Sequence, residues 1–249
     1  MSSRLAKLVT FSDAWMGKAD CQNCALRNSV LFSGLTESDF KEFHQPVDQI
    51  FLNSGEKLYG EGELGTHMFT IRKGLVKLEQ YLPDGTQRIV RLLQSTDVAG
   101  LETLLNECYQ HNAFALQATE ICRYPTSDVI ALSEHNPQLH RNLMMSWQSA
   151  LSDADTWIIE LSTGSAKLRV ARLLLRLSKN NSDGKCTLFS REDMGAMLGI
   201  TTETASRIIA GFKRQGLMKE AGGGKFFCDT AGLNKFISCG STREITGKP

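Results

Sequence analysis

Residues 190–218, Ser190-REDMGAMLGITTETASRIIAGFKRQGL-Met218, decide how the rest of the chain is read. Met194, Leu198, Ile200, Ala205 and Ile208 give one buried face across two short helices. Gly199 falls at the break between them, where a left-handed backbone residue is needed and glycine has no Cβ to clash. Ser190 followed by Asp193 three residues on marks a helix start, because a side-chain oxygen there satisfies an otherwise orphaned amide of the first turn. Thr201 or Thr202 can do the same for the second helix. The segment therefore predicts two short helices set at an angle about a tight turn.

On the second helix Thr202, Glu203, Ser206 and Arg207 fall on the face opposite Ala205 and Ile208, near the N-terminal end. A helix-turn-helix that reads DNA presents this end of its second helix to the major groove. Arg207 can donate two hydrogen bonds to a guanine, Glu203 can accept from a cytosine amine, and Ser206 or a threonine methyl can meet a thymine. The alternative is a helical hairpin whose polar side faces water.

Charge separates the two readings. The chain has 28 Lys+Arg against 27 Asp+Glu, yet residues 165–249 hold 15 basic and 7 acidic residues, leaving 13 basic and 20 acidic in residues 1–164. A basic module attached to an acidic one is what a phosphate backbone favours through counterion release, whereas a solvated surface has no reason to segregate sign. Lys167, Arg169, Arg172, Arg191, Lys213, Arg214 and Lys225 are the candidate phosphate contacts, which position the protein without specifying sequence.

At 249 residues the chain can bury two cores. No run approaches the roughly 18 apolar residues of a membrane span, and the N-terminal MSSRLAKLVTFSDAWMGK lacks a signal-peptide core, so a cytoplasmic protein is expected. The seven cysteines are odd in number and irregularly spaced, which fits a reducing compartment better than a disulfide framework. From Val47 to Pro125 short apolar stretches alternate with glycine turns at Asn53–Gly55, Gly60–Gly62, Lys73–Gly74, Pro83–Gly85 and Ala99–Gly100, the pattern of a sandwich or roll. After Pro137 the period becomes helical: Met144, Trp147, Leu151, Ala154, Ile158 and Leu161 recur at alternating spacings of three and four, a heptad seam. Its apolar stripe could bury against its own domain or against the same helix of a second subunit; the second is expected, and it sets two reading helices about 34–36 Å apart on a near-palindrome.

In this order, a cysteine-bearing N-terminal segment, a glycine-punctuated roll, a heptad helix and a C-terminal helix-turn-helix, the chain resembles the CRP/FNR family of bacterial transcription regulators over nearly its full length. Glu203-Thr-Ala-Ser206-Arg207 resembles the E-x-x-S-R signature of the FNR (fumarate and nitrate reduction regulator) branch. The resemblance implies an α+β protein: an N-terminal arm (1–30), a cyclic-nucleotide-binding-like β-roll (31–136), a dimerisation helix (137–164) and a winged helix-turn-helix (165–249), with Lys219–Phe227 and its Gly222–Gly224 as the wing hairpin against the DNA backbone. It also implies a homodimer on double-stranded DNA with TTGAT-type half-sites, and RNA polymerase as partner. The loops Leu82–Gly85 and Asn180–Gly184 are candidate polymerase contacts.

The signal is read from departures. Family members that bind cyclic nucleotide carry Gly-Glu-Leu and then Arg-Ser. Here the matching stretches are Gly100-Leu-Glu102 and His111-Asn-Ala113, without the phosphate arginine, so no cyclic nucleotide is expected. FNR-type sensors are similar in holding an iron–sulfur cluster on C-x2-C-x5-C and one central cysteine. Cys21, Cys24 and Cys122 match, Val30 stands at the third position, and Cys108, His111 or Asp20 are the substitutes for the missing ligand of a [4Fe–4S] cluster. The Cys21–Cys24 pair also reads as a redox dithiol, half a zinc site or two tolerated residues, and Cys122 as a core cysteine. Haem, nitric oxide or no ligand are further readings, while Cys186, Cys228 and Cys239 look structural. FNR-type chains keep an acidic residue in the seam, and Ala154 removes that repulsion, which implies a dimer less dependent on its signal. No catalytic motif occurs among the histidines, serines or glycine loops, so an enzyme is not expected. A signal-binding module that uses its C-terminal helices only for protein partners is the alternative of another class.

Overall fold

The computed structural model describes residues 8–9, 31–35, 47–105, 107–179, 185–187, 189–222 and 225–245. The chain forms two compact units, residues 1–80 with 90–153 and residues 81–89 with 154–249.

The first unit holds the expected β structure, apart from the 81–89 tip of its β5–β6 hairpin, which groups with the second. Its strands are β1 (Leu8–Val9), β2 (Val47–Leu52), β3 (Lys57–Tyr59), β4 (His67–Lys73), β5 (Val76–Tyr81), β6 (Gln87–Leu93), β7 (Val98–Ala99), β8 (Asn112–Ala115) and β9 (Thr119–Pro125). They build one sheet in the order β1-β2-β9-β4-β7 and another in the order β3-β8-β5-β6. Left-handed glycines stand at all five anticipated turns, at Gly55, Gly62, Gly74, Gly85 and Gly100. Gly74 is held twice over, because its φ is 110° and an added Cβ would lie 2.4 Å from Thr119 Oγ1.

Alternation along β4 and β9 divides the core in two, since successive strand residues point to opposite faces. Phe69, Ile71 and Ile121 join Tyr59, Val76, Leu78 and Tyr109 inside the roll. Met68, Cys122 and Tyr124 face the other way and pack with Leu31, Phe32, Val129, Leu132, Leu139 and Leu143 beneath two helices. Those are α1 (Thr126–His135) and α2 (Pro137–Leu161). Asn136 divides them: it is extended ahead of proline, where the helical region is disfavoured, and its Oδ1 accepts from the Leu139 amide at 2.9 Å to start α2. Buried Asn142 of α2 donates to the Leu31 and Ser33 carbonyls at 3.0 and 2.8 Å, which fixes the 31–35 segment on the helix.

The second unit contains α3 (Ala166–Lys179), β10 (Lys185–Thr187), α4 (Arg191–Leu198), α5 (Thr202–Arg214), β11 (Met218–Gly222), β12 (Lys225–Cys228) and α6 (Thr230–Ile245). The strands form an antiparallel sheet in the order β10-β12-β11, so the expected wing hairpin is present with a third strand that the sequence reading did not foresee. Leu168, Val170, Ala171, Leu173, Leu174 and Leu177 turn α3 into the buried centre of this unit. Arg172 corrects one expectation. Its Nη1 donates to the carbonyls of Glu160 and Thr163 at 3.1 and 3.0 Å, so it closes the C-terminal end of α2 rather than facing a phosphate. The molecule is α+β as expected, and no described helix is long and apolar enough to cross a membrane.

Candidate nucleic-acid interface

The two short helices are fixed by their ends. Ser190 caps α4 by accepting from the Asp193 amide at 2.9 Å while its hydroxyl donates to Asp193 Oδ2 at 2.8 Å. Gly199 closes α4 at φ 62°, ψ 45°, and Thr201 caps α5 by accepting from the Thr204 amide at 3.2 Å. Gly199 has a second role, since Arg88 Nη1 lies 2.6 Å from where a Cβ would stand. Gly195, which sequence reading passed over, sets the angle of the turn. Its own Cβ would sit 2.7 Å from the Ile200 carbonyl oxygen. Glycine to alanine inside a helix ordinarily stabilises by about 1 kcal/mol. Here contact with backbone reverses the sign, and Gly195→Ala is expected to lower stability by about 1–3 kcal/mol, read as a lower urea midpoint at constant m.

Ala205, Ile208, Ile209 and Phe212 are buried and hold α5 against the unit. Thr202, Glu203, Ser206 and Arg207 are all exposed, on the one face of α5 where sequence reading put them. Apart from Arg172, the six basic residues proposed for phosphate divide. Lys167, Arg214 and Lys225 are exposed. Arg191 donates to Met194 Sδ at 3.4 Å, and Arg169 Nε is buried with no hydrogen-bond partner among the described residues. Lys213 pairs with Glu220 of β11 and lies 4.8 Å from the Phe226 ring centroid, so it ties the reading helix to the wing. That bond holds the Glu220 carboxylate below its ordinary range.

Along α2, Met144, Leu151 and Ile158 are 51%, 65% and 60% exposed, and Trp147 is 37% exposed. Ala154 is half-buried. Leu161 departs from the seam: it is fully buried in its own unit. Met145 and Ile159 are exposed beside the stripe and widen it beyond the heptad positions. At the β5–β6 turn Leu82 and Gly85 close on each other through a 2.8 Å bond from the Gly85 amide to the Leu82 carbonyl, which leaves Tyr81 and Leu82 exposed.

Inside the roll, beside Gly100–Glu102, Tyr59 stacks on Tyr109 with centroids 4.0 Å apart and on Phe69 at 5.6 Å. Tyr109 donates to the His67 carbonyl at 2.8 Å, and burial pushes its phenol up to about 12. Burial likewise raises the Tyr59 phenol well above its usual range. A cavity of about 130 Å³ lies between the roll and the middle of α2, lined by Arg91, Asp97, Ser146, Ser149 and Asp153 among others. The family motif puts its phosphate arginine at the positions of residues 111–113, where this chain has none. The one that reaches the cavity, Arg91, comes from β6, a position no local motif marks.

His111 of the expected site is held below its ordinary pKa, mainly by burial and against the pull of Glu102. The unfolded chain then binds more protons, so the contribution is present above about 6.5 and falls away as pH drops through the lower folded value. His111→Asn should flatten that acid-side loss of stability in thermal melts between neutral and mildly acid pH.

Of the metal candidates, Cys21, Cys24, Asp20 and Val30 lie outside the described residues. Cys122 is 4% exposed and packs in the core beneath the helices, whereas Cys108 is exposed and forms an isolated backbone bridge with Leu64. Among the described residues no three His, Cys, Asp or Glu side chains are grouped to hold a metal ion. The described part of the chain thus offers one buried thiol and no ligand set around it.

A β-roll, a long apolar-striped helix and a capped helix-turn-helix with a wing together define a DNA-binding transcription regulator. Residues 49–136 match the model of the cyclic nucleotide-binding domain, and residues 168–236 match that of the Crp-like helix-turn-helix domain. The chain is 30% identical over 217 residues to the nitrogen fixation regulation protein FixK of Bradyrhizobium diazoefficiens, covering 85% of this chain and 91% of that protein. It is 29% identical over 212 residues to the transcriptional activator protein anr of Pseudomonas aeruginosa, covering 82% and 87%. The solved structure of FixK2 from Bradyrhizobium japonicum aligns with a TM-score of 0.69 at 26% identity, covering 76% of this chain and 96% of that one. The chain belongs to the CRP/FNR family of transcription regulators.

Proposed function

We propose that the protein binds an FNR-like TTGAT palindrome as a homodimer and couples that binding to oxygen or redox state. The observation that carries the DNA part is the exposed set Glu203, Ser206 and Arg207 on one face of a helix capped at Thr201. Glu203 and Arg207 are the base readers, Thr202 and Ser206 assist, and Lys167, Arg214 and Lys225 hold phosphates. Arg191 and Lys213 act on the duplex only after giving up internal contacts, and Arg169 only after its buried Nε is uncovered, so their main contribution is to shape the module. Exposed Met144, Trp147, Leu151 and Ile158 support pairing of two α2 helices, and RNA polymerase is the protein partner, met in part through the Leu82–Gly85 turn.

The redox part is supported by relatives that include regulators named for fumarate and nitrate reduction and for anaerobic control. Cys21, Cys24 and Cys122 remain the candidate ligands of a [4Fe–4S] cluster, which when bound supplies an oxygen-labile group. Thiol oxidation at the same cysteines, haem or nitric oxide, or no ligand are the competing signals. The test is anaerobic purification, reconstitution with ferrous iron and sulfide, and parallel measurement of visible charge-transfer absorption and binding to a TTGAT palindrome. A chromophore that bleaches in air together with loss of binding supports the cluster. Tight specific binding with no iron retained removes it and leaves the DNA reading standing.

A further inference from the structure

Within the second unit, an open cleft of about 800 Å³ lies where the tip of the β5–β6 hairpin meets the helix-turn-helix. Thr86 and Arg88 line one side of it, and Gly199, Thr201, Thr202 and Thr204 line the other. The lining is almost wholly uncharged: Arg88 is its one cation and Glu192 its one anion. The Arg88 guanidinium stands in the space that a side chain at Gly199 would take, with Nη1 2.6 Å from the position of that Cβ. Among the described residues it makes no hydrogen bond and no ion pair, not even with Glu192. A rigid fork of N–H donors is thus carried, half-buried, into the cleft with no protein acceptor. Across from it the Thr201 and Thr204 hydroxyls bond each other at 3.0 Å, which uses the proton of one and leaves the proton of the other to donate outward.

We propose that Arg88 is a further DNA contact, which takes an operator phosphate beside the bases that α5 reads, so that the hairpin of the roll forms part of the DNA surface. This contact rests on the reading of α5 as the operator helix. Thr202, one of the base-reading residues, lines the same cleft, and Glu203 follows it on the exposed face. A duplex whose base edges reach these two brings the adjoining backbone to the mouth of the cleft, and base contacts are ordinarily flanked by phosphate contacts. Arg88 decides the sign of the site. Without it the lining holds a carboxylate and no cation, which repels a phosphate; with it a phosphate meets a bidentate donor faced by threonine hydroxyls. A count of basic residues in 165–249 passes Arg88 over, because it belongs to β6. The competing role is a cover, a hairpin that keeps DNA backbone away from α5. A cover has no use for an arginine without a protein partner, whereas an anionic ligand does.

Full-length wild type, Arg88→Ala and Arg88→Lys would be titrated by fluorescence anisotropy against a TTGAT palindrome over a range of salt concentrations. Arg88→Ala is expected to bind about tenfold more weakly at low salt, with a salt slope smaller by about 0.9 for each half-site and with discrimination against a base-altered duplex kept. Arg88→Lys should keep the slope, since the charge stays. Replacing single phosphates beside each half-site by uncharged methylphosphonates should reveal a position whose neutralisation weakens the wild type severalfold and Arg88→Ala not at all. An Arg88→Ala protein that binds like wild type overturns the proposal. So does one that loses affinity at an unchanged slope, the mark of a disturbed module rather than a lost phosphate contact. Tighter binding by Arg88→Ala overturns it as well and makes the hairpin a cover on α5. Failure of the α5 reading is distinguishable, because the wild type would then bind the palindrome no better than a scrambled duplex.

Discussion

Arg207→Ala is expected to leave a folded protein that binds DNA but no longer distinguishes its operator from a sequence altered at one base pair of each half-site. Arg207 is exposed on α5, four residues from Glu203, so its loss removes no core contact and no cap. A bidentate arginine–guanine contact discriminates by about 1–3 kcal/mol, or roughly five- to 150-fold, and a two-fold complex loses it twice. Lys225→Ala is the control of opposite kind. Lys225 is exposed at the start of β12, and its removal should weaken operator and altered duplex about equally while the salt slope falls by about one unit. The structure changes which lysine serves as that control. Lys213 looks equivalent in sequence, yet its pairing with Glu220 and the Phe226 ring means that Lys213→Ala also frees the wing from α5. Parallel losses of affinity and discrimination in Arg207→Ala and Lys225→Ala would remove α5 as the reading helix.

Leu151→Asp should have the larger effect on affinity. Leu151 is 65% exposed in the monomer, in the middle of an apolar stripe that continues to Ile158. A carboxylate there stays hydrated in the single chain but would be buried against its own copy in a pair, at a cost of several kcal/mol for each unpaired charge. The expected result is a monomer by light scattering at micromolar concentration, an unchanged thermal melt of the separate units, and operator affinity lower by at least about a hundredfold, because two linked half-sites become two independent ones. Leu161→Asp separates this from simple damage. Leu161 is fully buried within its own unit, so that variant should unfold locally, whereas Leu151→Asp should not. Ala154→Asp tests the middle of the seam: the wild type is expected to be a dimer with or without air, and restoring an acid at this half-buried position should make pairing conditional. A Leu151→Asp protein that remains dimeric and binds the palindrome normally would place the dimer contact elsewhere.

The parts of the site that were legible in sequence are those governed by neighbours along the chain. Capping by Ser190 and Thr201, the left-handed turn at Gly199, and the exposed face of α5 depend on residues within one or two helical turns, and each stands as read. The glycine turns of the roll are local for the same reason. Periodicity also fixed the α2 stripe, although it could not show that the stripe ends before Leu161, where burial against its own unit takes over.

What escaped the sequence lies in pairings between distant segments. Composition marked Lys213, Arg169 and Arg172 as basic residues of a basic module, and charge alone has no direction. Tertiary structure spends Lys213 on Glu220, encloses Arg169 Nε and turns Arg172 onto the carbonyls that end α2. Gly195 is unremarkable within its helix until the chain returns with the Ile200 carbonyl 2.7 Å from its missing Cβ. Arg91 enters the cavity because β6 happens to face α2, and the third wing strand exists because β12 finds β10 across the reading helices. By itself the sequence determined the elements, their order and the polar face of α5, since short-range geometry and hydrophobic period suffice for these. Which charges remain exposed to meet DNA was decided only when the folded chain brought a carboxylate and a ring to Lys213 and carbonyls to Arg172 and closed over Arg169 Nε, because partner and cover are supplied by topology and not by local sequence.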